Sequence, residues 1–185
     1  MGGAFTSSML TLVIGGARSG KSRFAHSLAA KSDKVAYIAT ARSEDAEMAA
    51  RIARHRQDRP AHWTVIEEPL EIGGTVARLA REYEFILLDC LTLWLSNFCF
   101  EHRNLAEATI AETALQEVAR VAAGSHDSQL VVVSNELGCG LVPETRLGRF
   151  FRDLHGQMNQ EIAPWAEWVY HLVAGISVAI KRPGA

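Results

Sequence analysis

Cysteine, long apolar runs and an excess of charge of either sign are all scarce in this sequence. Its three cysteines, Cys90, Cys99 and Cys139, form no CxxC pair, which argues against a zinc site or a disulfide framework. We therefore expect a reducing, cytoplasmic compartment. The apolar runs are too short to span a bilayer. The formal net charge is −2 and no long basic face is evident, so we expect no nucleic-acid partner.

The composition is that of a soluble globular protein of moderate size. Of 185 residues, 48% are hydrophobic and 22% are charged, and this length suits one domain with a sizeable core. Residues 1–9 are small and polar and have none of the features of a signal peptide. We expect a flexible leader over residues 1–9 and a single nucleotide-binding catalytic domain over residues 10–185.

Short apolar runs alternate with segments of helical periodicity along the chain. The runs at residues 10–16, 35–40, 85–90 and 129–136 predict buried strands, and "WTVIEE" predicts another. Helices are predicted at residues 21–31, 43–56, 69–83, 105–123 and 146–164. This alternation predicts an α/β fold with a mainly parallel sheet and helices on both faces.

Two features complete the predicted sheet. "WVYHLVAGISVAIK", residues 168–181, reads as two strands joined by Ala-Gly, which predicts a C-terminal antiparallel hairpin. Asp89 and Asn135-Glu136 stand at the ends of predicted parallel strands. We expect these polar residues to gather at the carboxyl edge of the sheet, where α/β proteins bind ligands.

A complete phosphate-loop motif lies between the first predicted strand and helix. Residues 15–22 read "GGARSGKS" and match G-x-x-x-x-G-K-[ST]. Glycines let backbone N–H groups approach phosphate oxygens, and the helix N-terminus adds a favourable dipole. Lys21 is expected to bridge the outer phosphates, and Ser22 to help hold Mg²⁺. The alternative interpretation is an ordinary glycine-rich turn between strand and helix.

The run "FILLDC" provides a second candidate ligand for Mg²⁺. Its apolar residues end in Asp89, whose carboxylate would bind the metal directly or through water. The motifs do not define the reaction. A switch GTPase needs a guanine-reading Asn-Lys-x-Asp, and the chain has none. Small-molecule kinase, ATPase and nucleotidyltransferase activities remain open.

Arginine and histidine are concentrated in "RIARHRQDRPAHW", residues 51–63. The segment has four arginines and two histidines against one aspartate. One interpretation is a solvated basic helix end that complements the helix dipole. Beside a phosphate loop, however, the guanidinium groups of Arg51, Arg54, Arg56 and Arg59 can clamp a triphosphate. Their positive charge disfavours an imidazolium and keeps His55 neutral, so that it can attack phosphorus.

Several segments together resemble one enzyme family. They are "GGARSGKS", "YIAT", "DAEMAARIARHRQDRPAHW", "LLDCLTLWLSN", "VVVSNELGCGLVPETRLGRFFRDLHGQMNQ" and "VAGISVAIK". In combination they resemble the bifunctional adenosylcobinamide kinases / adenosylcobinamide-phosphate guanylyltransferases of cobalamin synthesis, from Leu10 to Lys181. The resemblance implies a RecA-like parallel sheet, a homotrimer and sites near subunit boundaries. It makes residues 135–153 plausible in corrinoid binding or assembly; otherwise they form a Gly/Pro loop and a surface helix.

The resemblance also implies two reactions that use a nucleoside triphosphate and a corrinoid. ATP or GTP phosphorylates adenosylcobinamide, and GTP donates GMP to a histidine, from which it passes to adenosylcobinamide phosphate to give adenosylcobinamide-GDP. The family's histidine lies in H-R-x-x-R-P, which makes His55 an expected catalytic residue, and Lys21 of the phosphate loop is the other. The expected metal ligands are Ser22 and Asp89. The expected nucleotide contacts are Gly15, Gly16, Ala17, Arg18, Ser19, Gly20, Lys21, Ser22, Thr40, Ala41, Arg42, Gln57, Asp58, Arg59, Pro60, Glu67 and Asp89.

This chain departs from some members of the family at two positions. Asp89 stands where some have glutamate, and its shorter side chain leaves direct contact with the metal open. Arg54-His55 stands where some have two adjacent histidines, which leaves His55 as the single candidate at this point. A monofunctional small-molecule kinase with a structural His55 is the alternative function, and a non-enzymatic nucleotide-binding module is a third.

Overall fold

A computed structural model describes residues 9–42, 46, 59–125 and 128–184 of the chain. The predicted helix at residues 43–56 lies outside these ranges, apart from Ala46. The strands are β1 (Leu10–Gly15), β2 (Val35–Ala39), β3 (Thr64–Glu67), β4 (Phe85–Asp89), β5 (Gln129–Val133), β6 (Trp168–Val173) and β7 (Ile176–Lys181). The helices are α1 (Lys21–Ala29), α2 (Ile72–Leu79), α3 (Leu91–Glu101), α4 (Glu107–Ala123) and α5 (Arg146–Ile162).

The seven strands form one sheet in the order β3-β2-β4-β5-β1-β6-β7. Neighbouring strands pair in parallel except β6 and β7, which form an antiparallel hairpin. Strand β5 separates β1 from β4. The predicted α/β fold, its mainly parallel sheet and its C-terminal hairpin are confirmed.

Helices cover both faces of the sheet, as predicted. Alternate side chains of the central strands, such as Leu12 and Leu88, pack against α2, α3, α4 and α5. The intervening side chains, such as Val13 and Leu87, pack against α1 on the other face. Because both of their faces are buried, the central strands β1, β2, β4 and β5 are nearly continuous apolar runs without polar alternation.

Helix α3 was not predicted from the sequence. Its sequence, LTLWLSNFCFE, buries Leu91, Trp94, Leu95 and Phe98 in the core and carries apolar residues on several faces. Such a segment has no clear amphipathic stripe, and for this reason its periodicity does not show a helix. None of the helices in the described ranges is long and apolar enough to cross a membrane.

Strand β5 is shorter than predicted, and the polar residues that follow it lie along the edge of the sheet. The sequence predicted a strand over residues 129–136, but it ends at Val133. Beyond it, the Ser134 amide donates to the Val13 carbonyl and the Glu136 amide donates to the Gly15 carbonyl, each at 2.9 Å. Residues 134–136 are thus held against the phosphate-loop strand, at the edge where polar residues were expected.

Candidate active site

The phosphate loop connects β1 to α1 at the carboxyl edge of the sheet. Gly15 has φ +154°, and a Cβ there would lie 2.5 Å from the Leu172 carbonyl oxygen. Gly20 has φ +96° and immediately precedes α1. Both conformations favour glycine, and they let the chain reverse sharply above the sheet. The free N–H groups of the helix N-terminus then face the loop, where an anion is stabilised.

Lys21 is the first residue of α1, and its side chain folds back over the loop. The residue is only 8% exposed, and its Nζ donates to the Gly16 carbonyl at 2.6 Å. An ammonium group on the loop is placed to bind phosphate oxygens as a point charge. Ser22 follows it in the first turn of the helix and is half-buried.

The turn of the C-terminal hairpin supports the phosphate loop. The Gly175 amide donates to the Ser19 carbonyl at 3.0 Å, and the Leu172 carbonyl lies against Gly15. Ala174 has φ 51° and Gly175 has φ 83°, values that suit the tight turn of a two-residue hairpin. The sequence predicted the hairpin but not this contact, which joins segments about 155 residues apart.

Asp89 is the last residue of β4, and β5 lies between β4 and β1, the strand that leads into the phosphate loop. The Asp89 carboxylate accepts a hydrogen bond from a neighbouring strand. The Tyr37 hydroxyl donates to Asp89 Oδ2 at 2.8 Å. Burial, reinforced by the negative charge of Asp89, raises the pKa of Tyr37 well above its ordinary value of 10.0. Tyr37 therefore stays protonated at neutral pH and acts as the donor. Tyr37 lies in the segment "YIAT" but was not among the expected site residues.

An open cavity of about 350 Å³ adjoins this tyrosine. The Arg59 guanidinium lies 3.7 Å from the centre of the Tyr37 ring. The Trp63 and Tyr37 rings are stacked, with their centres 6.3 Å apart. Both Arg59 Nε and Trp63 Nε1 are buried and have no hydrogen-bond partner among the described residues. The cavity is lined by Arg59, Pro60, Ala61, Trp63, Val65 and Glu67, which include three of the expected nucleotide contacts.

Two of the expected contacts after β2 form bonds within the protein. Thr40 is fully buried, and its Oγ1 hydrogen-bonds to the backbone of Cys90. Arg42 lies 3.6 Å from Glu101 at the end of α3. Ala41 is partly exposed between them. Thr40 therefore shapes the edge of the sheet through its side chain.

The other expected site residues fall into two groups. The structure brings together the phosphate loop, Asp89 and residues 40–42 at one edge, because β1, β2 and β4 all end there. His55, Gln57 and Asp58 lie outside the described residues, as do Arg51, Arg54 and Arg56.

The donor set of this edge fits Mg²⁺ bound together with phosphates. No three His, Cys, Asp or Glu side chains cluster as metal ligands within the described ranges. Mg²⁺ does not need such a cage, because it takes one or two protein oxygens, substrate phosphates and water. The Asp89 carboxylate and the Ser22 hydroxyl are oxygen donors of this kind, and a phosphate loop lies at the same edge.

A buried polar network under this edge was missed by the sequence reasoning. His155 of α5 is fully buried, and its Nε2 lies 2.9 Å from Thr92 Oγ1 and 3.4 Å from Ser134 Oγ. The Ser134 hydroxyl donates to Asn159 Oδ1 at 2.7 Å. Burial lowers the pKa of His155 to about 4, which keeps the ring neutral. Its place in a helix late in the chain carries no motif that would reveal the network.

A protein-family model covers nearly the whole described chain. The model, described as "Cobinamide kinase / cobinamide phosphate guanyltransferase", matches residues 11–180. This span includes the phosphate loop, the segment with His55, Asp89 and the C-terminal hairpin.

Curated proteins similar to the chain cover almost its full length. The bifunctional adenosylcobalamin biosynthesis protein CobU of Escherichia coli is 39% identical and aligns with 94% of this chain and 100% of its own. CobP of Pseudomonas aeruginosa is 43% identical, over 94% of this chain and 98% of its own. A crystal structure of the RadB recombinase is 16% identical with a TM-score of 0.48, covering 91% of this chain and 76% of that one.

Proposed function

The chain belongs to the cobinamide kinase / cobinamide phosphate guanyltransferase family, and we propose that it carries out both reactions of that name. It phosphorylates adenosylcobinamide and then transfers GMP from GTP to adenosylcobinamide phosphate, giving adenosylcobinamide-GDP. The observation that carries the proposal is the match over residues 11–180, which places a complete phosphate loop in a family of this activity. Identity of 39–43% with bifunctional relatives over 94% of the chain supports both steps.

In the kinase step, the phosphate loop holds ATP or GTP while the corrinoid hydroxyl attacks the γ-phosphorus. The buried ammonium of Lys21 neutralises charge on the outer phosphates, and the loop amides hold their oxygens. Ser22 and Asp89 would hold Mg²⁺, which supplies charge neutralisation between the phosphates when bound. The new P–O bond forms to the corrinoid oxygen, the bond to the β-phosphate bridging oxygen breaks, and the nucleoside diphosphate leaves.

In the guanylyl transfer, His55 is the nucleophile. A neutral imidazole nitrogen attacks the α-phosphorus of GTP, the bond to the β-phosphate oxygen breaks and pyrophosphate leaves. A phosphate oxygen of adenosylcobinamide phosphate then attacks the same phosphorus, and the P–N bond breaks to free His55. Arg59 is four residues beyond His55, and a chain of that length spans at most about 14 Å.

The cavity beside Tyr37 supports nucleotide binding by the segment that follows His55. Arg59 lines this cavity, and its guanidinium group matches phosphate oxygens. We assign Arg59, Pro60 and Glu67 to this nucleotide contact, with Gln57 and Asp58 from the adjoining chain. Ala41 and Arg42 complete it at the end of β2, and the buried Thr40 supports them through its bonds to Cys90.

We also propose a homotrimer working in the cytoplasm, without a nucleic-acid partner. The last strand, β7, is an open edge of the sheet and exposes Ile176, Val178 and Ile180 at alternate positions. An exposed apolar edge strand of this kind favours burial against another chain. Chromatography with light scattering would measure the mass directly, and a monomer at micromolar concentration would refute the trimer.

Incubation with α-labelled GTP tests the proposed nucleophile. The wild-type protein should retain acid-labile label, whereas His55→Ala should retain none while its kinase activity with adenosylcobinamide persists. His62→Ala is the matched control, because His62 lies in the same basic segment and is exposed. Equal labelling of wild type and His55→Ala would overturn the assignment of His55. Kinase turnover without any adduct in the wild type would favour the monofunctional kinase.

A further inference from the structure

We propose that Tyr37 is a positioning residue that sets the orientation of the Asp89 carboxylate toward the metal–triphosphate complex. The inference rests on the proposed function, because it takes Asp89 as a ligand of Mg²⁺. It gives a role to a residue that was not among the expected site residues.

The hydrogen bond between the two side chains defines which carboxylate oxygen faces the metal. The Tyr37 hydroxyl lies 2.8 Å from Asp89 Oδ2, and Tyr37 itself is 2% exposed. The two residues lie on neighbouring strands, since Ala39 of β2 is in register with Asp89 of β4. With Oδ2 held by the hydroxyl, Oδ1 is the oxygen assigned to the metal. Carboxylates that bind metals depend on such outer partners for their orientation.

The Tyr37 ring is itself fixed on several sides and cannot easily turn away. Its faces and edges contact Arg59, Trp63 and His26, with the Arg59 guanidinium 3.7 Å from the ring centre. A hydroxyl on so well packed a ring is a rigid donor, so it restricts the rotation of the Asp89 side chain. The same ring packs against the guanidinium of Arg59, which is four residues beyond His55 in the sequence.

The effects of the Tyr37 ring and of the Tyr37 hydroxyl can be distinguished by mutation. Tyr37→Phe keeps the aromatic face for Arg59 and the packing with Trp63, and it removes the hydroxyl that donates to Asp89 and also interacts with the Arg59 side chain. Tyr83→Phe is the matched control. It removes a hydroxyl from a half-buried tyrosine that precedes β4, at the opposite edge of the sheet from Asp89.

The experiment measures metal binding directly, with Mn²⁺ as the spectroscopic probe. Mn²⁺ is titrated into each protein saturated with a non-hydrolysable GTP analogue, and free Mn²⁺ is read by electron paramagnetic resonance. Tyr37→Phe should bind Mn²⁺ about tenfold more weakly than wild type, within the range for loss of an outer-shell partner. Its affinity for the analogue in EDTA should be unchanged, which a general loss of structure would not produce. Tyr83→Phe should match wild type in both measurements.

Asp89→Asn separates failure of this inference from failure of the proposed metal site. If Asp89→Asn weakens Mn²⁺ binding and Tyr37→Phe does not, Asp89 is a ligand and the role of Tyr37 is refuted. If neither variant changes Mn²⁺ affinity, the assignment of Asp89 as metal ligand fails, and the inference fails with it. Equal weakening by Tyr37→Phe and Tyr83→Phe would also overturn the inference, because it would reflect a nonspecific effect.

Discussion

Thr40 and Cys90 exchange two hydrogen bonds across the carboxyl edge of the sheet. The Thr40 hydroxyl donates to the Cys90 carbonyl at 2.8 Å, and the Cys90 amide donates to Thr40 Oγ1 at 2.9 Å. The Thr40 carbonyl in turn accepts from Asn97 Nδ2 of α3 at 2.7 Å. A single buried hydroxyl thus satisfies the backbone at the point where β4 ends and α3 begins, directly after Asp89.

Thr40→Val should therefore destabilise the protein although it preserves side-chain shape. The change leaves the buried N–H of Cys90 without its partner, while the Cys90 carbonyl keeps its bond from the Trp94 amide. An unsatisfied buried donor costs about 1–3 kcal/mol of unfolding free energy. Thr40→Ser keeps the hydroxyl and should retain most of the stability. Denaturant unfolding of both variants measures the difference. A Thr40→Val protein as stable as wild type would show that the bonds to Cys90 contribute nothing net.

The two glycines that open the phosphate loop should differ in their tolerance of a methyl group. Gly15→Ala brings a Cβ to 2.5 Å from the Leu172 carbonyl at φ +154°, and should lower the unfolding free energy by about 1–3 kcal/mol. Gly16→Ala meets nothing within 4 Å and should leave stability unchanged. Thermal unfolding without nucleotide compares the pair. Equal stability of the two variants would contradict the close approach of β6 to the loop.

Lys21→Ala should weaken triphosphate binding and both activities. Loss of a charge-assisted contact worth about 1.5–3 kcal/mol corresponds to a roughly 10- to 100-fold rise in the Kd for GTP. Lys31→Ala removes the same charge just beyond α1 and should bind GTP as wild type does. Calorimetric titration with GTP gives both constants. An unchanged Kd in Lys21→Ala would rule out the phosphate role of the ammonium group.

His155 should make the protein less stable as the pH falls below neutrality. Burial lowers the pKa of His155 from 6.5 to about 4. Between these two values the unfolded chain binds a proton at this residue and the folded chain does not. The contribution of the neutral His155 to the unfolding free energy is complete above pH 6.5, and it is lost as the pH drops from 6.5 to 4. The full shift corresponds to about 3 kcal/mol.

Comparison with His155→Gln isolates this contribution from that of the carboxylates. The variant has no titrating group at position 155, so its unfolding free energy should change less between pH 7 and pH 4.5 than that of the wild type. Both proteins are compared by urea unfolding at each pH. Parallel pH profiles for the two proteins would show that His155 titrates normally in the folded state.

The strands and the loop motif could be predicted from the sequence because their signals are contiguous. "LTLVIGGARSGKS" carries a buried strand, a glycine turn and a helix start within one short segment, and the structure contains each of them in that order. The hairpin at residues 168–181 was equally readable. Helix α3 was not, because its apolar residues occupy several faces and a periodic stripe is lacking.

The sequence by itself determined the fold class and the phosphate loop, because local composition and spacing encode strands, turns and motifs. His55 became the candidate nucleophile through the family resemblance of its segment. Only the tertiary structure decided what surrounds Asp89. The partner of its carboxylate, Tyr37, is 52 residues away in the chain, and the turn that supports the phosphate loop comes from the C-terminal hairpin. Parallel strands pair residues distant in sequence, so these contacts depend on strand order and register, which local periodicity does not encode.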